Sequence, residues 1–221
     1  MKKITAVYLV WAAATYVFMF ARNGLDADNM THLALLLVLS VTVLAVRGRT
    51  GVTTRRPGTR FIVSGVLLAA VGEGCYMISR PFQPSLLITA GMPAAQMVRN
   101  YVIDLMFTLP AYVVIFAVIW RLINTYRYER WEYILVFALG QALGDGNQAF
   151  LHAPVLLAFI PYVMVNYHAM NVVPYLMVES VLPAPRSESR WRLVAGVSEM
   201  VVTYLVCGSI LVALARAAKL A

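Results

Sequence analysis

Residues 136–152 read VFALGQALGDGNQAFLH, a stretch with the length and apolarity of a membrane span that also carries Gln141, Asp145, Asn147, Gln148 and His152. At about 3.6 residues per turn, offsets of 4, 3 and 4 put Gln141, Asp145, Gln148 and His152 on one face of a helix. A polar stripe down an apolar rod predicts a membrane helix that turns this face toward a bundle interior, because hydrocarbon offers polar groups no partner.

The rest of the chain agrees with a membrane setting. Its 221 residues are 61% hydrophobic and 13% charged, with a mean hydropathy of +0.75, outside the usual composition of soluble domains. Apolar stretches at 4–21, 31–46, 61–79, 101–120, 133–151, 155–182 and 193–214 read as spans at a rise of about 1.5 Å per residue. The expected fold is therefore all-α: a polytopic membrane protein whose seven transmembrane helices form one bundle, a single domain over residues 1–221. The opening Met1-Lys2-Lys3 and its apolar run lack a small-x-small cleavage site, so they read as span one, not as a secretory leader.

A net charge of +8 raises the question of nucleic acid, yet the basic residues form no groove-tracking patch. They sit in the connections: Arg47, Arg49, Arg55, Arg56 and Arg60, then Arg121, Arg127 and Arg130, then Arg186, Arg190 and Arg192. With Lys2 and Lys3, these clusters fall on one side if the amino terminus is cytoplasmic, while Arg216 and Lys219 fall on the other. The expected location is a bacterial cytoplasmic membrane. Three unclustered histidines and two lone cysteines lack metal-ligand spacing, so no metal and no cofactor is expected. The lysines, Lys2, Lys3 and Lys219, all lie outside the spans, which excludes a retinal Schiff base.

The acids are the informative residues, since a charged side chain at mid-bilayer costs about 2.5–3.5 kcal/mol on insertion scales. Glu73, Asp104 and Asp145 fall at similar depth in the outer halves of spans three, four and five, and repulsion at one depth requires that they keep a proton among them. Glu179 and Glu199 lie near the opposite ends, where Arg186, Arg190 and Arg192 are expected to pair with them. Around the outer acids stand Tyr76 and Arg80 on the face of Glu73, Asn100 on the face of Asp104, and Arg99 beside it. Gln141 and Gln148 flank Asp145, while Tyr162, Asn166, His168 and Asn171 face inward from span six. Residues 79–100 form a connection with three prolines, suited to a lid under which Arg80 and Arg99 meet a head group. Against this stands a structural reading in which the amides only glue helices together, at about 0.6 kcal/mol each.

Three function classes use these acids. In the first, a protonated carboxylic acid in a dry pocket donates to an alkene or epoxide, and rings such as Tyr76, Tyr101, Tyr112, Tyr162, Tyr167 and Tyr175 steady the carbocation. Seven spans in a little over two hundred residues, with the run Glu73-Gly74-Cys75-Tyr76 inside span three and further acids downstream, resemble the small integral-membrane terpene cyclases of fungal meroterpenoid and bacterial indole-sesquiterpenoid pathways. That family has Trp directly before the Glu, where this chain has Gly72. The resemblance implies a lipid-soluble isoprenoid substrate, no nucleic-acid partner and acid-initiated cyclisation. Glu73, Asp145 and Asp104 would be the catalytic carboxylates, and either Asp145 or Glu199 the second acid of the family. The second class is an intramembrane aspartyl protease, with Asp104 and Asp145 as a dyad and the remnant Leu143-Gly144-Asp145 of its motif. The third is a proton-coupled carrier or lipid-binding protein, though the chain shows no internal repeat.

Overall fold

The computed structural model describes residues 2–46, 56–183 and 187–218, so Arg47, Arg49, Arg55, Arg186 and Lys219 lie outside the described residues. The described residues form eight α-helices and no strand: α1 (Lys2–Asn23), α2 (Ala27–Val46), α3 (Pro57–Tyr76), α4 (Ala94–Thr125), α5 (Arg130–Asp145), α6 (Asn147–His152), α7 (Ile160–Val178) and α8 (Trp191–Ala217). Six helical segments are long and apolar enough to cross a membrane, namely α1 to α4, the stretch Pro154–Val181 around α7, and α8.

The stretch expected as the remaining span, 133–151, is divided. α5 has 16 residues, or about 24 Å at 1.5 Å per residue, against roughly 30 Å of hydrocarbon. It ends where Gly144, Asp145, Gly146 and Asn147 follow one another, all poor helix formers. The Asn147 side-chain amide donates to the Gly144 carbonyl at 2.8 Å, a local bond that competes with the helix ladder. The polar stripe is therefore split: Gln141 and Asp145 stay on α5, while Gln148 and His152 move to the six-residue α6. Pro161, expected to kink a span, instead sits in the first turn of α7, where its missing N–H costs nothing. Pro174 and Pro110 do lie inside α7 and α4.

α7 is the axis of the assembly. Of its 19 residues, 15 are buried, polar Asn166, His168 and Asn171 among them, and it packs against α1, α2, α3 and α5. α3 also packs on α4, and α8 on α4 and α5. α5 and α8 approach closely at two glycines. A Cβ on Gly140 would lie 2.7 Å from Met200 Cβ and 2.9 Å from the Val197 carbonyl, and one on Gly144 would lie 2.7 Å from Tyr204 Cβ. Two glycines four residues apart make a small-residue seam that lets the backbones approach, the usual device of helices that must pack in lipid.

One end of the bundle is basic and ion-paired. Arg121 pairs with Glu199, Arg127 with Glu188 at 2.8 Å, Arg130 with Glu179 at 2.7 Å and Arg192 with Glu132 at 2.6 Å. The pairing differs from the expected one, because Glu179 and Glu199 face α4 and α5, whereas Arg192 turns to the buried Glu132 in the capping box of α5. Trp131 and Trp191 sit at this end too, at the starts of α5 and α8.

Candidate functional site

The opposite end holds a cavity of about 1030 Å³, at the upper end of the roughly 300–1,000 Å³ typical of small-molecule sites. Its floor and walls include Glu73 and Tyr76 of α3, Tyr112 of α4, Asp145 of α5, Asn166 and Tyr167 of α7, and Tyr204 of α8. Exposed Arg22, Arg80 and Gln148 line its polar rim, and exposed Leu156, Leu205 and Val212 give it an apolar flank.

Each acid has its own holder. Tyr112 donates its hydroxyl to Glu73 Oε1 at 2.5 Å, and Glu73 is only 7% exposed. Behind Glu73, away from the cavity lining, lies Asp104, fully buried and in hydrogen-bonding reach of the Glu73 carboxyl. Asp104 Oδ1 accepts the Phe82 backbone N–H at 2.9 Å, whereas its Oδ2 has no donor from the protein. A proton between the two carboxyls would satisfy that oxygen. Asp145 has accessible surface, which faces the cavity, and its Oδ2 accepts the Tyr167 hydroxyl at 2.7 Å.

The sequence places these side chains through ordinary helix geometry. Asn100, Asp104 and Thr108 recur every fourth residue and form one buried face of α4. The loop after α3 holds Pro81, Pro84 and Pro93 and turns at Gly91, where φ is +84°, a left-handed value that suits glycine. Phe82 of that loop reaches Asp104, so the connection is tied down at the acid. The 79–100 lid is shorter than expected, since α4 begins at Ala94.

Several expected site residues do not face this cavity. Asn100 is buried and donates to the Leu86 carbonyl at 3.2 Å, while Arg99 is exposed on α4. Gln141 and Asn171 hydrogen-bond each other in the core, with Gln141 also donating to the Tyr204 hydroxyl at 3.4 Å. His168 lines a separate apolar cavity of about 580 Å³ between α1, α2, α5 and α7 and shares a 2.6 Å hydrogen bond with the Tyr8 hydroxyl. Asp104 and Asp145 hold different partners, and no contact joins them as a dyad. Glu199 is engaged by Arg121 at the far end, whereas Asp145 lines the cavity with Glu73.

Sequence reading missed three contributors. Tyr204 enters from α8 opposite Gly144 and stands edge-on to Tyr167, with ring centroids 6.0 Å apart. Asp28 binds Arg80 at the rim. His32 stacks on Tyr162 at 3.6 Å, while Tyr162 donates to Asn29, which ties the α1–α2 turn to α7. The Gly140–Gly144 spacing was the signal available for Tyr204; nothing in the sequence pairs Asp28 with Arg80.

No group of three metal-ligating side chains occurs among the described residues. Compared with protein-family models, curated proteins and solved structures, the chain matches none.

Proposed function

We propose that this chain is an integral-membrane enzyme that isomerises or cyclises an isoprenoid-like lipid by acid initiation. It would sit in a bacterial cytoplasmic membrane with its arginine-rich end cytoplasmic. One observation carries the reading: a buried Glu73, held by Tyr112 and backed by Asp104, opens into a tyrosine-walled cavity that faces Asp145. The apolar flank at Leu156, Leu205 and Val212 is suited to entry of a substrate from the lipid.

In this mechanism Glu73 donates its proton to an alkene carbon or epoxide oxygen of the bound lipid, which leaves a carbocation. The faces of Tyr76, Tyr112, Tyr167 and Tyr204 stabilise that charge. Asp145 takes a proton from the carbon next to the cation, so the product has the mass of the substrate. Asp104 keeps the Glu73 carboxyl in position, and between turnovers Asp145 gives its proton to water at the cavity mouth while water reprotonates Glu73.

A carrier is the second reading, favoured by the interruption between α5 and α6 beside Asp145, since broken helices at an acid are a recurrent feature of secondary transporters. Expression of the wild type, Glu73→Gln and Asp145→Asn in a host fed prenyl alcohols, prenyl epoxides and prenylated aromatics separates the two. Liquid chromatography with mass spectrometry should find a new isomer in the wild-type extract and not in either variant. Well-folded wild type that yields no new compound would overturn the enzyme reading in favour of the carrier.

A further inference from the structure

The cavity also has a binding chemistry that does not depend on turnover. Glu73 and Asp145 enter it from α3 and α5, and the five ion pairs among the described residues include neither acid. Arg80 at the rim is already paired with Asp28. Between the acids stand the rings of Tyr76, Tyr112, Tyr167 and Tyr204. Tyr112 and Tyr167 donate their hydroxyls to the two carboxyls, which leaves their ring faces to the cavity walls and makes them richer in electron density. A cation over a ring face gains about 2 kcal/mol when desolvated against 0.5–1 when exposed, so the rings favour a cation that sheds its water deep in the cavity. The volume, about 1030 Å³, leaves room for bulky apolar substituents.

We propose that this cavity binds lipophilic organic monocations, such as ammonium or phosphonium centres with apolar substituents, by pairing them with Glu73 and Asp145 in exchange for an acid proton. No bond of the ligand changes. The carboxyl O–H proton leaves to water as the cation arrives, and net charge in the cavity is conserved. The groups that face the exchange are Tyr76, Tyr101, Asp104, Tyr112, Tyr204 and Asp145 around Glu73, and Glu73, Arg80, Tyr76, Tyr112, Tyr167 and Tyr204 around Asp145. Asp28, His32 and Arg22 lie farther out on the lining. The inference goes beyond the proposed reaction, because binding is expected whether or not a product forms.

The test uses two probes of one shape and opposite charge, tetraphenylphosphonium and tetraphenylborate, titrated calorimetrically into the full chain in a non-ionic detergent, with empty micelles subtracted. The wild type should bind the phosphonium at least about tenfold more tightly than the borate, and its phosphonium affinity should fall as acid supplies the competing proton. The double variant Glu73→Gln/Asp145→Asn should lose at least about tenfold. Equal affinity of the wild type for both probes would overturn the proposal without any variant. So would an affinity indifferent to pH, or unchanged phosphonium binding in a double variant that elutes like the wild type. Product analysis with prenyl substrates reads the enzyme proposal separately, so the two can fail independently.

Discussion

Replacing Gly140 with alanine tests the α5–α8 seam that brings Tyr204 to the cavity. The new methyl would meet Met200 Cβ at 2.7 Å and the Val197 carbonyl at 2.9 Å, whereas carbon contacts are comfortable at about 3.5–4.0 Å. Because Val197 presents backbone, no rotamer change relieves the clash and the helices must separate by about 1 Å. Overpacking of this kind costs about 1–3 kcal/mol, offset by up to about 1 kcal/mol from the better helix propensity of alanine. A net loss of about 0–3 kcal/mol follows for Gly140→Ala, and a larger one for Gly140→Leu. Gly208 on α8 supplies the control, since a Cβ there meets nothing within 4 Å, so Gly208→Ala should be neutral or stabilising by up to about 1 kcal/mol. Unfolding in mixed micelles, followed by far-ultraviolet circular dichroism against denaturing detergent, measures both. A Gly140→Ala protein as stable as Gly208→Ala would refute the seam.

The Arg192–Glu132 pair, with side chains 16% and 6% exposed, should lose about 3–5 kcal/mol in Arg192→Met, because the carboxylate is left buried, and recover much of that loss in Glu132→Gln/Arg192→Met; the same unfolding assay reads both. The exposed Arg127–Glu188 pair should matter by no more than about 1 kcal/mol in Arg127→Ala. Tyr112→Phe removes one hydroxyl from Glu73, a bond to a charged or acidic group worth about 1.5–3 kcal/mol; isomer formation should fall at least about tenfold in a protein that still elutes like wild type and loses no more than that much stability. His168→Phe, facing the other cavity beside Tyr8, should leave isomer formation within about twofold of wild type, and a larger loss would place His168 in the site's chemistry.

How far the sequence could be read follows from what each signal depends on. Long apolar runs fix helices locally, and α1 to α4, α7 and α8 fall where hydropathy put them. The 141–152 stripe failed as a single face because a Gly-Asp-Gly-Asn run interrupts it, and hydropathy does not weigh such breakers. Glu73, Tyr76, Arg80, Asp145, Gln148, Tyr162 and Asn166 meet in one cavity, as their matched depth suggested. Depth does not set rotation, however. Gln141 and Asn171 turned to each other, and His168 turned toward α1. Asp104 sits one layer behind Glu73, a placement that needs the α3–α4 packing as well as the face repeat of α4.

The central claim is that an intramembrane acid starts the chemistry, and solvent labelling tests it most directly. The purified protein, reconstituted in lipid and given an epoxide-free alkene substrate identified by the feeding experiment, so that the proton adds to carbon, is run in ordinary and in heavy water. Acid initiation by Glu73 predicts a product that carries one deuterium at the protonated position in heavy water only, with formation lost in Glu73→Gln. A product that forms at full rate with no solvent-derived deuterium, or that persists in Glu73→Gln, would contradict the account.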